Sequence, residues 1–402
     1  MGVPPMAHGA PFSLGDARPA AVTMGALAAL VGFASSFAVV LAGLRGVGAD
    51  PAQAASGLAA AAIAMGIGGI VLSLWTRLPV SVAWTTPGAA LLATSAAPAG
   101  GFAEAVGAFV VCGVLLASTA FLRPLARAVS AIPLPIASAM LAGIVLPLAL
   151  APVRAVTEDW RLGLPIALSW LLAGRAHRLL AVPAALAALV GVTLLGTDLP
   201  PDTGARLADA VGLALRPVPP AFSPEVMIGL GVPLYVVTMA SQNIPGLAVL
   251  RAHGYEPPAA RGFAVTGALS RAAAPFGGPA VNLAAITAAM CAGEEAGRDS
   301  RRRYWSAVVA GLCYVAMGLL AGVAALFVTL APAVLIEAVA GLALIATLSA
   351  ALRGALHAPE TREAAAVTFL VAGGGLSVAG VSGAFWALLA GLAVHALARG
   401  RR

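Results

Sequence analysis

Apolar stretches long enough to cross a bilayer follow one another from about Ala20 to about Ala398, and this tiling limits the fold more than any single motif does. A spanning helix needs roughly 20 mainly apolar residues. The chain is 60% hydrophobic and 10% charged, where a soluble domain carries about 25% charged residues. The deficit continues along almost the whole length, which excludes a soluble enzyme held by one anchor. The expected class is an all-α polytopic membrane protein whose first partner is the lipid bilayer.

All 23 basic residues are arginine, and they sit in short loops between apolar stretches. No soluble domain is present to bind nucleic acid, so the charges read as orientation signals. Cys112, Cys291 and Cys313 fall inside apolar stretches without CxxC or Cys/His spacing, which indicates neither a metal site nor a disulfide framework. No cofactor is implied. The first apolar stretch lacks a small-residue cleavage site and reads as a span rather than a removed signal.

Fourteen spans are expected: Ala20–Leu44, Ala54–Trp75, Leu78–Ala97, Phe102–Leu122, Pro133–Ala151, Trp160–Ala173, Leu179–Gly196, Glu225–Leu250, Pro258–Ala274, Pro275–Ala292, Trp305–Leu330, Pro332–Leu352, Glu363–Val378 and Gly383–Leu397. With the N-terminus cytoplasmic, 17 arginines fall on the inner side and 6 on the outer. That split obeys the positive-inside rule, and one span more or fewer midway would scramble it. Both ends are expected on the cytoplasmic side of a bacterial-type inner membrane.

Two spans are punctuated differently from the rest. Span 3 reads LPVSVAWTTPGAALL and span 10 reads APFGGPAVNLAAIT. Proline inside a helix removes a backbone bond and clashes with the preceding turn, whereas proline at the first helical position is favourable. Each segment is therefore expected to be a short extended piece followed by a half-helix, starting near Pro87 and near Pro279. Aligning those prolines gives an offset of 192 residues, close to half the chain. Seven spans per half (1–215 and 216–402) make the second half inverted. Inverted repeats with matched discontinuous helices point to a secondary transporter with its site at the midplane.

Two half-helix N-termini converging there would each present roughly half a positive charge, which suits a carboxylate without a costly buried arginine. Gln242 and Asn243, mid-span 8, either donate to the anion or join helices. Asn282 is expected in the first turn of the span 10 half-helix, as a site residue. Ser35 and Ser36 lie mid-span 1, where small-residue packing is the other role open to them. Trp84 and Phe276 precede the two breaks, and Ala83, Gly88 and Gly278 leave room for a ring. Thr85 and Thr86 complete the candidate substrate contacts.

At these residues the chain resembles the BenE-type benzoate/proton symporters. The matching stretches are PVSVAWTTPGAALL, VTMASQNIPGLAVLRAHGY, APFGGPAVNLAAITAA, REAAAVTFLV and GAFWALLAGL. That family is similar to nucleobase permeases and sulfate-type anion carriers. The resemblance implies a core domain of spans 1–4 and 8–11 (20–122, 225–330) and a gate domain of spans 5–7 and 12–14 (133–196, 332–397). It also implies elevator-like movement, often in a homodimer, and proton coupling. Where nucleobase relatives carry glutamates, this chain has Gln242 and Pro279, which suits an anionic substrate and removes the obvious proton carriers. Glu337 in span 12 is then the candidate carrier, although it lies only about a turn and a half from the outer end, where an interfacial position is the other role open to it. The expected substrate is benzoate or a similar aromatic carboxylate. Another small anion, a nucleobase or an anion channel are the alternatives; no HExxH, GxSxG or paired membrane aspartates mark an enzyme.

Overall fold

The computed structural model describes residues 17–122, 124–125, 127, 131–196, 200–213, 215–375 and 383–399. Arg123, Arg401 and Arg402, counted above among the inner charges, and the expected end of span 13 at Val378 lie outside the described residues. The first part of the chain forms α1 (Pro19–Ala34), α2 (Phe37–Gly46), α3 (Pro51–Thr76), β1 (Val82–Trp84), α4 (Thr86–Thr94) and α5 (Phe102–Thr119). Then come α6 (Leu134–Ala149), α7 (Ala151–Glu158), α8 (Trp160–Ala176), α9 (Ala181–Gly196) and α10 (Thr203–Ala210). The second part forms α11 (Pro224–Ala252), α12 (Ala259–Ala273), β2 (Val281–Leu283), α13 (Ile286–Ala292), α14 (Tyr304–Leu319) and α15 (Ala321–Leu330). It closes with α16 (Ala333–Leu356), α17 (Arg362–Gly373) and α18 (Gly383–Arg399). Among the described residues six helices are long and apolar enough to cross a membrane, or seven if the bent α14–α15 pair is one span.

Local sequence explains where the elements begin and bend. Asp50 caps α3 by accepting from the N–H groups of Ala52 and Gln53, Gln53 reciprocates to the Asp50 N–H, and Pro51 occupies the first turn. Helix α11 carries two π-helical segments, Met227–Gly231 and Met239–Asn243. Each lies just before a proline, Pro233 or Pro245. A proline ring clashes with the carbonyl four residues back, here Gly229 or Ser241, and one widened turn relieves that clash.

Span 1 departs from expectation. It is not one helix over Ala20–Leu44 but α1 and α2 joined at Ser35–Ser36. Both hydroxyls donate to the Gly32 carbonyl, at 3.2 and 3.0 Å, and Ser36 leaves helical geometry at φ −148°. Hydroxyl back-bonding competes with the helix ladder, and serine pairs are recurrent kink sites. Span 11 is likewise bent, by 54° at the α14–α15 junction.

Span 10 requires the main correction. Its helix begins not near Pro279 but at Ile286, after the strand Val281–Leu283. Strands β1 and β2 pair antiparallel, Val82 with Leu283, Ala83 with Asn282 and Trp84 with Val281. The equivalent positions are therefore offset by 199 residues (Val82 to Val281), not by 192. That offset also relates two flanking bonds: the Thr85 N–H donates to Ala280 O at 2.9 Å and the Ala284 N–H to Ser81 O at 3.0 Å. It carries Pro133, which caps α6, onto Pro332, which caps α16. Pro279 thus marks the approach to the strand, after the Ala274–Phe276 turn closed by left-handed Gly277 (φ 79°).

Helix packing repeats the same two-fold. Helix α3 lies along α14, and α12 lies along α5. Gly66 and Gly311 face each other's backbone: a Cβ on either would fall 2.5 or 2.6 Å from the other's carbonyl oxygen. In the second pair, Gly113 abuts the Gly267 carbonyl and a Cβ on Gly267 would sit 2.2 Å from the Ala117 nitrogen. Small residues that let backbones touch are the usual joint where lipid removes a hydrophobic drive between helices. Helices α6, α16, α17 and α18 pack together as a separate cluster, against which α4 and the Met239–Asn243 turn rest through α6.

Candidate functional site

The paired strands lie between α1–α2, α3, α11 and α12, and the candidate residues divide sharply around them. Trp84 is buried; its indole N–H donates to Ser36 Oγ at 2.8 Å and its ring meets Phe33 at 5.1 Å. Phe33 also stacks on Phe37. Thr85 is fully buried as the N-cap of α4, accepting from the Gly88 N–H at 3.1 Å and from the Thr238 hydroxyl at 2.9 Å. Gly88 has no spare room, because a Cβ there would meet Thr85 and Leu234. These three residues build the site's frame.

Asn243 and Asn282 are also committed to the frame. Asn243 Oδ1 accepts from the Leu283 N–H at 2.9 Å, which latches α11 onto β2, and its Nδ2 lies 3.3 Å from Met239 Sδ. Asn282, expected in a helical first turn, sits instead at the centre of β2 opposite Ala83. With its amide oriented to satisfy both neighbours, it accepts from the Thr85 N–H and donates to Leu283 O, each at 3.0 Å. Phe276 and Gly278 belong to a different neighbourhood: Ser56 Oγ donates to Phe276 O at 2.8 Å, and Gly278 abuts Ala60 and Ala273.

Besides Phe276, three candidates around the strands keep accessible surface: Ser35, Thr86 and Gln242 are half-buried. Gln242 lies in the π-helical turn of α11, one turn beyond Thr238, the residue bonded to Thr85. Its amide has no hydrogen-bond partner among the described residues, and neither does the Thr86 hydroxyl at the start of α4. The first turn of α13 has no side-chain cap, and Ile286 there is 67% exposed. Across the crossing, Ser81 Oγ and Thr287 Oγ1 are 2.8 Å apart. Phe33, Thr238, Ser81 and Thr287 were not among the candidates read from sequence, and Ser36 was read there only beside Ser35. The serine pair was the one available signal, as a kink motif.

A cavity of about 320 Å³ separates the C-terminal half of α4 (Leu91, Thr94, Ser95) from Ile144 and Pro147 of α6, Ala372 of α17 and Ala384 of α18. A second, of about 400 Å³, lies on the other side of Ser95 and is lined by Glu104 and Glu225. Glu337 is half-buried near the start of α16 and has no ion pair among the described residues.

Residues 15–397 match the family described as BenE, benzoate membrane transport protein. The chain belongs to that family. As a BenE member it is 37% identical over 375 residues to the inner membrane protein YdcO of Escherichia coli, covering 93% of this chain and 94% of that protein. It is 28% identical over 376 residues to the benzoate membrane transport protein of Acinetobacter baylyi, with coverages of 93% and 94%. Two solved structures share the fold. The transmembrane domain of the cyanobacterial bicarbonate transporter BicA superposes with a TM-score of 0.58 at 16% identity, covering 94% of this chain and 96% of that one. SLC26A9 gives 0.61 at 14% identity, covering 96% and 66%. This BenE chain is a multi-pass membrane protein of SLC26/BicA-like fold whose family and structural neighbours are transporters, not enzymes.

Proposed function

We propose that the protein is a secondary active transporter that imports benzoate or a similar aromatic carboxylate by proton symport with elevator-type alternating access. The observation that carries the anion reading is the unpartnered amide of Gln242. It sits at the middle of an apolar span, beside the start of α4 and the strand crossing. An amide left there gains a charge-assisted hydrogen bond when a carboxylate arrives. The uncapped start of α13 adds a favourable dipole, while Thr86 offers a hydroxyl. Phe33, stacked on Phe37 and against Trp84, provides an aromatic wall for the ring.

The division into a core (20–122, 225–330) and a gate (133–196, 332–397) is supported by the separate packing of α6, α16, α17 and α18 and by the cavity along α4. The 199-residue correspondence supports a reading of fourteen spans in a seven-plus-seven inverted arrangement, and the arginine asymmetry supports both termini on the cytoplasmic side of a bacterial inner membrane. A homodimer fits the family's fold. Glu337 is the proposed proton carrier. Radiolabelled benzoate uptake into proteoliposomes, with and without an inwardly directed proton gradient, tests the whole reading. Gradient-driven accumulation is expected; benzoate flux that only follows its own gradient, at channel-like rates, would overturn it.

A further inference from the structure

At one end of α1 a cavity of about 370 Å³ is lined by Arg18, Arg298, Arg302 and Asp299, together with Ala20, Ala21 and Gly297. Three arginines and one acid line it, and that acid is engaged. Asp299 takes contacts from Arg301 and Arg302, each at 3.4 Å, and also accepts from the Arg301 N–H. Arg18 and Arg298 are exposed and make no ion pair among the described residues.

The loop that carries these arginines is held in shape from beneath. Arg303 is 7% exposed, and its guanidinium donates to Gly297 O at 2.7 Å and to Ala292 O at 2.8 Å. Tyr255 donates to Ser300 O at 3.0 Å from the neighbouring loop. Gly297 takes φ 136°, which a side chain would resist. The start of α1 adds positive potential, because α1 is a 16-residue helix whose N-cap Arg18 provides no side-chain acceptor for the first-turn N–H groups.

We propose that this cavity binds a phosphate group, presented either as the headgroup of an anionic phospholipid or as the free anion. The chemistry suits a phosphate group: planar guanidinium forks pair two by two with its oxygens. The position suits a headgroup, since the cavity lies at the end of a membrane-crossing element, Pro19–Gly46, where lipid phosphates sit. A bound phosphate would bridge the start of α1 to the loop between α13 and α14, so it would brace the discontinuous span from its end. Nothing in this inference depends on the identity of the transported acid.

The test uses the full-length protein in a neutral detergent. Phosphatidylglycerol, phosphatidylcholine or inorganic phosphate is added, unfolding midpoints are measured, and bound lipid is counted by native mass spectrometry. Phosphatidylglycerol at about a hundredfold excess over its dissociation constant is expected to raise the midpoint by about 3–6 °C. Phosphatidylcholine should have little effect. The gain should disappear in Arg298→Gln, an exposed residue whose loss leaves the loop's own bonds intact, and in Arg18→Gln with Arg298→Gln. It should persist in Arg353→Gln with Arg362→Gln, which removes equal charge from the α16–α17 end. The same variant-dependent gain from inorganic phosphate alone would assign the site to the free anion. Equal gains in all variants, or no gain from either ligand, would overturn the proposal.

Discussion

Gln242 and Asn243 are adjacent amides in one π-helical turn, and they should fail in opposite ways when each is changed to leucine. Asn243 is fully buried and accepts from the Leu283 N–H at 2.9 Å. Leucine there strands that N–H inside the protein, which costs about 1–3 kcal/mol of stability. It also unlatches β2 from α11. Gln242 is half-buried with no partner to strand, so its replacement should change stability by no more than about 0.5 kcal/mol, as for ordinary substitutions away from structural networks. The loss falls on binding instead. A hydrogen bond to a carboxylate is worth about 1.5–3 kcal/mol, which at 1.36 kcal/mol per tenfold weakens benzoate affinity roughly 10- to 150-fold. Unfolding midpoints in detergent and benzoate binding or uptake KM, measured on both variants, give the two axes. If Gln242→Leu destabilises as much as Asn243→Leu, or leaves benzoate affinity unchanged, the division between frame and contact is wrong.

Gly66→Ala places a methyl 2.5 Å from the Gly311 carbonyl oxygen, so it should cost about 1–3 kcal/mol through overpacking of the α3–α14 joint; the unfolding midpoint and monodisperse yield check this. Glu337→Gln should abolish pH-gradient-driven accumulation while retaining benzoate counterflow exchange, and accumulation that persists would place the proton elsewhere. Phthalate and benzamide should compete poorly with benzoate uptake. A second carboxylate would lie in an apolar surround without an arginine partner, where an unpaired charge is very unfavourable, and the amide forfeits the electrostatic gain. Strong inhibition by either compound would refute a single-anion site held by dipoles and amides.

What was legible in the sequence had local causes. Apolar length and arginine placement announced a multi-pass membrane protein, because burial in lipid acts residue by residue. Pro87 announced the start of α4 correctly: the helix begins at Thr86 with proline in its first turn. The break in span 1 was less visible, since two serines inside an apolar helix serve packing as readily as kinking; the Trp84 indole bonded to Ser36 adds to the Gly32 back-bonds in holding the pair open. Trp84, Thr85, Asn243 and Asn282 do meet around the strand pair, Phe276 and Gly278 do not, and which of the polar groups are already bonded was not legible. Whether an amide is free depends on which backbone N–H the rest of the fold brings to it.

The seven-residue error at span 10 has the same origin and bears on how such sites are built. A proline shows where a helix cannot continue; it does not say whether a strand or a helix follows. In span 3 the strand comes before Pro87, and in span 10 it comes after Pro279. The difference is set across the molecule. Val281–Leu283 stays extended because its backbone is completed by β1, by the Ser270 hydroxyl at Val281 and by Asn243 at Leu283. The two half-spans therefore share a geometry without sharing punctuation. Thr85 caps α4, while the equivalent Ala284 has no hydroxyl to offer α13. That asymmetry caps one helix start and leaves the other without a side-chain cap, so a nearly symmetric frame carries two unlike helix starts.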